Sequence, residues 1–166
     1  MQALEITSHI LGVVVVGSLC FWLGLTYRLW QMVSTKPTIR EGLLLPDPAD
    51  VLVSIVIPAH NEERVINRCA TSLRNQTHTN IQIIFVLDRC SDRTLEILQQ
   101  HASEDDRICI VQNDHCPDDW AGKCYAARIG AKKATGEWLL FTDADTQFDD
   151  ELVKCASSIS LILRCC

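Results

Sequence analysis

Asp143-Ala144-Asp145 sets two carboxylates on either side of one alanine, directly after the apolar run Glu137-Trp138-Leu139-Leu140-Phe141. Carboxylates at this spacing can share a hard divalent cation and its bound diphosphate, because Mg²⁺ and Mn²⁺ favour oxygen ligands and often complete their shells from phosphate. Alone the motif says little. Random ordering of 13 Asp residues in 166 positions yields about one D-x-D, and in isolation such a pair is more often a solvated turn. Its position after a strand-like run raises its weight. Asp88 closes the run Ile81-Gln82-Ile83-Ile84-Phe85-Val86-Leu87 in the same way. A carboxylate there can accept a hydrogen bond from a nucleobase N–H, or simply begin an Asx turn. After the run Val51 to Ile57, Pro58 and Ala59 keep backbone close to a ligand, and His60, Asn61 and Glu62 supply polar edges. Helix capping would account for Asn61 and Glu62 equally well.

Lys123 belongs to Trp120-Ala121-Gly122-Lys123, which has the form of half a phosphate loop. Pro117 stands where that loop needs its first glycine, and Cys124 replaces the required Ser or Thr, so the P-loop reading fails. Lys123 can still meet a diphosphate at a helix N-terminus, whose dipole favours anions, or be a plain surface lysine. The chain has no G-x-G-x-x-G for a dinucleotide.

The elements that must carry these residues alternate. Strand-like runs at 51–57, 81–87, 107–111 and 137–141 are each followed by a polar loop: 58–63, 88–92, 113–123 and 142–146. Helical patterns come next. The first, from about Glu62 to Asn75, has Asn61 as its cap and Val65, Ile66, Cys69, Ala70 and Leu73 on one face. The second begins at a Ser91 or Asp92 cap, and the third runs from about Ala121 to Ala134 before Gly136. This alternation predicts an α/β fold, a mostly parallel open sheet with helices on both faces. Such a sheet gathers its loops along one edge, outside the carboxyl ends of the strands, where ligands bind.

The N-terminal part reads differently. From about Ile10 to Leu25 the chain is almost wholly apolar, and with its flanks it is long enough to cross a hydrocarbon layer of about 30 Å. Trp22, Tyr27 and Trp30 gather on its C-terminal side, no Lys or Arg precedes it, and Arg28, Lys36 and Arg40 follow. That asymmetry predicts a single-pass membrane anchor with the remainder facing the cytoplasm. A cleaved signal peptide would need a basic start and a small-residue cleavage site, and neither is evident. The expected organisation is a tail at 1–9, an anchor at 10–30, a Pro-containing linker at 31–50 and an α/β domain at 51–166.

The net charge of −6, with scattered Lys and Arg, argues against nucleic acid as a partner. Nine cysteines, with no C-x-x-C pair, predict reduced and mostly buried thiols rather than disulfides or a zinc site.

Taken together, the stretches 53–63, 86–94, Gly122-Lys123 with Ala126-Ala127, and 136–145 resemble glycosyltransferase family 2 on the GT-A nucleotide-sugar fold, most nearly its membrane-anchored bacterial members. The match runs over about residues 52 to 160, with the motifs in the family's order. The resemblance implies an enzyme that transfers a sugar from a nucleotide-diphospho-sugar, of UDP type, to an acceptor, with inversion. The anchor makes a lipid acceptor plausible. It further implies that Pro58, Ala59, Asn61 and Glu62 border the nucleotide and that Asp88 reads the base. Gly122 and Lys123 would then lie near the ribose or diphosphate. Asp145 would hold Mg²⁺ or Mn²⁺, with Asp143 beside it on the metal or the ribose. In the family the acidic general base follows the D-x-D by roughly a hundred residues, so it is expected beyond Cys166, and the chain reads as C-terminally truncated. The alternative is a truncated, non-catalytic, membrane-anchored nucleotide-binding module. A phosphatase of the haloacid-dehalogenase type, with Asp143 as nucleophile, fits less well: Gln147 stands where a Thr belongs, and the motif follows the fourth strand instead of the first.

Overall fold

The computed structural model describes residues 2–34 and 39–164, and the chain divides into two units, Met1–Thr38 and Ile39–Cys166. In the first unit the uncharged apolar stretch lies within one helix, α1 (Gln2–Ser34), so the expected tail is helical from Gln2 and the helix runs four residues past Trp30. The segment Gly12–Met32 has the length and composition to cross a membrane. Phe21 and Trp22 meet edge to face, and Thr26 turns its hydroxyl back on the carbonyls of Trp22 and Leu23. A hydroxyl satisfied within its own helix costs little in an apolar medium.

The second unit runs α2 (Ile39–Gly42), β1 (Val53–Ala59), α3 (Ile66–Arg74), β2 (Ile81–Asp88), α4 (Thr94–Glu104), β3 (Ile108–Asn113), α5 (Gly122–Lys133), β4 (Trp138–Phe141) and α6 (Leu152–Arg164). All three strand pairings are parallel and the sheet order is β3-β2-β1-β4. Strand side chains alternate between the two faces. Val53, Ile55, Ile57 and Ala59, with Ile81, Ile83, Phe85 and Leu87, share one core with Ile66, Cys69 and Leu73 of α3, Leu98 of α4 and Val153 of α6. Val56, Ile84 and Val86 point the other way, against Ala126 and Ile129 of α5. The α/β fold with helices on both faces is therefore present. Each fully buried Ile or Phe of the two central strands contributes about 1.5–3 kcal/mol.

Gly130 lets α5 lie close on the sheet: a Cβ there would run into Val56 Cγ1 and come within 3.0 Å of Val86 Cγ2.

Three local expectations are corrected. The first helix does not begin at Glu62 under an Asn61 cap: α3 starts at Ile66, and the Asn61 side chain bonds elsewhere. Of the linker expected at 31–50, residues 35–38 lie outside the described residues, 31–34 belong to α1 and 39–42 to α2, and the stretch 43–50 is bonded to the α/β unit. Fully buried His78 meets Asp47 Oδ1 at 2.6 Å and the Val51 carbonyl at 2.9 Å, and Ser158 donates to the Pro46 carbonyl. The cysteines are free among the described residues, but only Cys69 and Cys155 of them are buried, while Cys20 and Cys124 are exposed.

Candidate functional site

Between β1 and β4 the strand order reverses, and in an open parallel sheet the loops part at such a point to leave a crevice. A cavity of about 180 Å³ lies there, lined by Pro58, Ala59, His60 and Glu62 after β1, Asp88 at the end of β2, Lys123 on α5, and Asp143, Ala144 and Asp145 after β4. Four loops remote in sequence thus share one opening. Its volume falls below the roughly 300–1,000 Å³ of complete small-molecule sites, so it would enclose only part of a ligand of that size.

The wall after β1 and β2 is tied together by hydrogen bonds. Asn61 (φ 54) and Arg89 (φ 50) both adopt the left-handed conformation, which costs a residue with a β-carbon about 1–2 kcal/mol unless its surroundings compensate. They do. Asn61 Oδ1 accepts from the Ser91 amide at 2.8 Å, and the Asn61 amide reaches Cys90 Sγ. The Glu62 amide donates to Thr94 Oγ1, the Glu63 amide to Asp92 Oδ2, and the Arg93 amide to Glu63 Oε2. Asp92 also accepts from the Thr94 amide, but the residue at the N-cap of α4 is Arg93, not the expected Ser91 or Asp92, and no side chain caps the helix. His60 Nδ1 lies 2.6 Å from the Asp88 carbonyl and therefore carries the proton of that bond.

Asp88 is almost fully buried. Its carboxylate takes Arg89 Nε at 3.1 Å, Arg89 Nη2 at 2.8 Å and Asn113 Nδ2 at 3.0 Å. The Arg89 hydrogen bonds above all hold its carboxyl below the usual carboxylate range, against the opposing effect of burial. It stays ionised, an acceptor only.

The opposite wall is looser. Lys123, the second residue of α5, reaches Asp143 Oδ1 at 2.7 Å, with the two side chains 62 % and 55 % exposed. This bond raises the Lys123 ammonium above its ordinary range. Between the two aspartates Ala144 is buried in the core, so the turn is pegged from below while Asp143 and Asp145 stay at the surface. Cys69 lies beneath, its Sγ 4.0 Å from the Asp143 carbonyl. Burial, helped by the Asp145 charge, pushes its thiol up to about 12, so it is an inert packing group.

Among the described residues no three His, Cys, Asp or Glu side chains form a metal-holding group. The donor set that is present, two hard carboxylates facing an anion-sized space, suits a cation that takes its remaining ligands from phosphate and water. Residues and cation fit each other in that limited sense.

Of the residues expected at the site, Pro58, Ala59, Glu62, Asp88, Lys123, Asp143 and Asp145 line the crevice. Gly122 sits at its edge, where a Cβ would come within 2.5 Å of Asp88 Oδ2. Asn61 does not line it, because its side chain is spent on Ser91. Arg89 and Asn113 were not anticipated. Asn113 ends β3 opposite Asp88 in the strand register, so an Asn closing the third run was a usable signal. Arg89 gave none, since a residue next to Asp88 on a regular strand would face away.

Comparison with known proteins bears on the family and the fold. The model of "Glycosyl transferase family 2" matches residues 54–156. The uncharacterized glycosyltransferase EpsJ of Bacillus subtilis is 37% identical over 94 residues, 57% of this chain and 26% of that protein. The 4,4'-diaponeurosporenoate glycosyltransferase of Staphylococcus haemolyticus is 32% identical over 99 residues, 60% and 25% of the two chains. The chain thus spans about a quarter of the length of these curated relatives. Among solved structures, S. aureus TarS 1–349 in complex with UDP-GlcNAc superposes with a TM-score of 0.56 and 25% identity, over 63% of this chain and 30% of that one.

Proposed function

The chain belongs to glycosyl transferase family 2, and on that premise we propose that residues 51–166 form the donor-binding part of an enzyme that moves a sugar from a nucleoside diphosphate to an acceptor, with inversion. The observation that carries this reading is the convergence of Asp88, Lys123, Asp143 and Asp145, from three separate loops, on one crevice. The UDP-GlcNAc held by the TarS structure supports a UDP-type donor.

In this reading Pro58 and Ala59 offer a flat wall to the nucleotide, with Glu62 at its polar rim. Asp88, ionised and buried at the end of β2, accepts a hydrogen bond from the base. Lys123 exchanges its Asp143 partner for the diphosphate, and the N-terminus of α5 adds the pull of its dipole on that anion. Gly122 lets the nucleotide approach. Asp145, with Asp143, would hold Mg²⁺ or Mn²⁺, which supplies Lewis-acid stabilisation of the departing diphosphate. No residue of the crevice is assigned as the base that takes the acceptor's proton. α1 anchors the enzyme as a single membrane span with the α/β unit in the cytoplasm, following the cations Arg28, Lys36 and Arg40. That location favours a lipid acceptor.

Isothermal titration of the full chain in detergent with UDP and Mn²⁺ tests the donor site. Wild type is expected to bind with a Mn²⁺-dependent heat that Asp145→Ala loses, and equal heats from both proteins would remove the D-x-D from the site. Transfer of radiolabelled sugar by membranes carrying this chain tests the activity. Binding without turnover would leave a nucleotide-binding module.

A further inference from the structure

A carboxylate offers about four lone-pair sites, and most of those on Asp88 are already taken. Oδ1 accepts from both Arg89 Nε and Asn113 Nδ2, while Oδ2 accepts from Arg89 Nη2. One site is left, on Oδ2. That oxygen lies beside Gly122, where a Cβ would come within 2.5 Å of Oδ2 and 2.8 Å of Arg89 Nη2. Any other residue at 122 would crowd the remaining acceptor and the arginine that orients it.

Arg89 is arranged for this contact at a cost to its own backbone. Its φ of 50 lies in the left-handed region, which turns its side chain back onto the preceding residue. Its amide is fixed to the Asn113 carbonyl at 2.8 Å. With 49 % of its side chain exposed, the guanidinium is not there to fill the core. What it does is grip both oxygens of the neighbouring carboxylate in a fork that a lysine cannot reproduce.

We propose that Arg89 is a positioning residue which, with Asn113, leaves Asp88 a single free acceptor site on Oδ2 and so makes the crevice select nucleoside diphosphates by their base. A base presenting a ring N–H, as uracil does, is admitted; one presenting a ring acceptor at that point, as cytosine does, is refused because two acceptors meet. This rests on the donor-site reading and adds to it the residue that sets base choice.

The test compares UDP and CDP affinities for the full chain by calorimetry at one pH. Wild type binds UDP more tightly than CDP. Arg89→Gly suits the left-handed backbone and so keeps the melting temperature at or above that of wild type, yet the UDP-to-CDP preference falls about tenfold, the value of one hydrogen bond to a charged group. Arg89→Lys restores part of it. In Asp88→Asn the amide oxygen stays with Arg89 Nε and Asn113, so the NH₂ in place of Oδ2 meets Arg89 Nη2 donor against donor, the free acceptor is gone, and the preference for UDP is lost. An Arg89→Gly protein with the wild-type ratio, or an Asp88→Asn protein that keeps it, overturns the inference. Wild type binding UDP and CDP equally overturns it while leaving the donor site standing. Wild type binding neither overturns the donor-site reading itself, and this inference with it.

Discussion

The two walls of the crevice are built on different principles. The wall after β1 and β2 rises from the most buried strands of the sheet, and its loops are stitched to each other by Asn61, Glu63, Asp92 and Thr94. The wall formed by α5 and the loop after β4 depends on a four-residue edge strand, with Leu139 46 % and Phe141 51 % exposed, and on one ion pair between exposed side chains. The first wall is finished before any ligand arrives, which suits a base read by shape and hydrogen bonding. The second is held by one ion pair between exposed side chains, which on the proposed reading suits the diphosphate end of the donor. Preorganisation at one end lowers the ordering cost of binding. An exchangeable ion pair at the other keeps Lys123 beside the crevice without fixing it there.

Core truncation breaks this contrast most severely. Phe85→Ala in β2 is expected to lose about 3–5 kcal/mol in urea unfolding, whereas Leu139→Ala in β4 loses less than about 1 kcal/mol; similar losses would erase the distinction between central and edge strands. Next is the clasp. Asn61→Ala gives up the Ser91 bond and forces alanine into the left-handed region, for a loss of about 2 kcal/mol, while Asn61→Gly relieves the backbone and loses about half as much. A smaller effect comes from His101, which joins α3 to α4 by accepting from Arg74 on Nδ1 and donating to Asn67 on Nε2. Burial, then the Arg74 charge, holds its imidazole below the ordinary value. The unfolded chain therefore takes up the proton first on acidification. Stability is full above about pH 6.5 and falls as pH drops through that value toward the lower folded one. Melting curves at pH 7.5 and 5.5 should show this slope, and His101→Gln should flatten it. Last comes the ion pair: Lys123→Met leaves the melting temperature unchanged within error and weakens UDP binding about tenfold. A clear drop in melting temperature would make the second wall as structural as the first.

Most of the architecture was legible because period-2 and period-3.6 apolar patterns report burial directly. The strand runs at 51–57 and 81–87 became β1 and β2 with shifts of one or two residues, and Gly136 does follow the third patterned helix. What was hidden depends on backbone turns that side-chain types do not encode. Asn61 looked like a helix cap because asparagine suits that role, but it equally tolerates positive φ, and tertiary bonding to Ser91 decided between the two. Arg89 was invisible for a related reason: the left-handed turn that brings it back onto Asp88 is unexpected at an arginine. Residues 43–50 read as linker because Pro46 and Pro48 are loop signals. A buried histidine thirty residues away, which needs Asp47 and Val51 as partners, docks them instead.

Helix α5 works as a lever whose fulcrum is far from the chemistry. Its glycine at 130 seats it against Val56 and Val86, about 12 Å along the axis from Gly122 at a rise of 1.5 Å per residue. Adding even a methyl group at that seat would force the helix or the two valines to shift, and a shift of the helix would carry Lys123 with it. The reach of that cation is thus governed from behind the sheet, by the absence of one carbon atom.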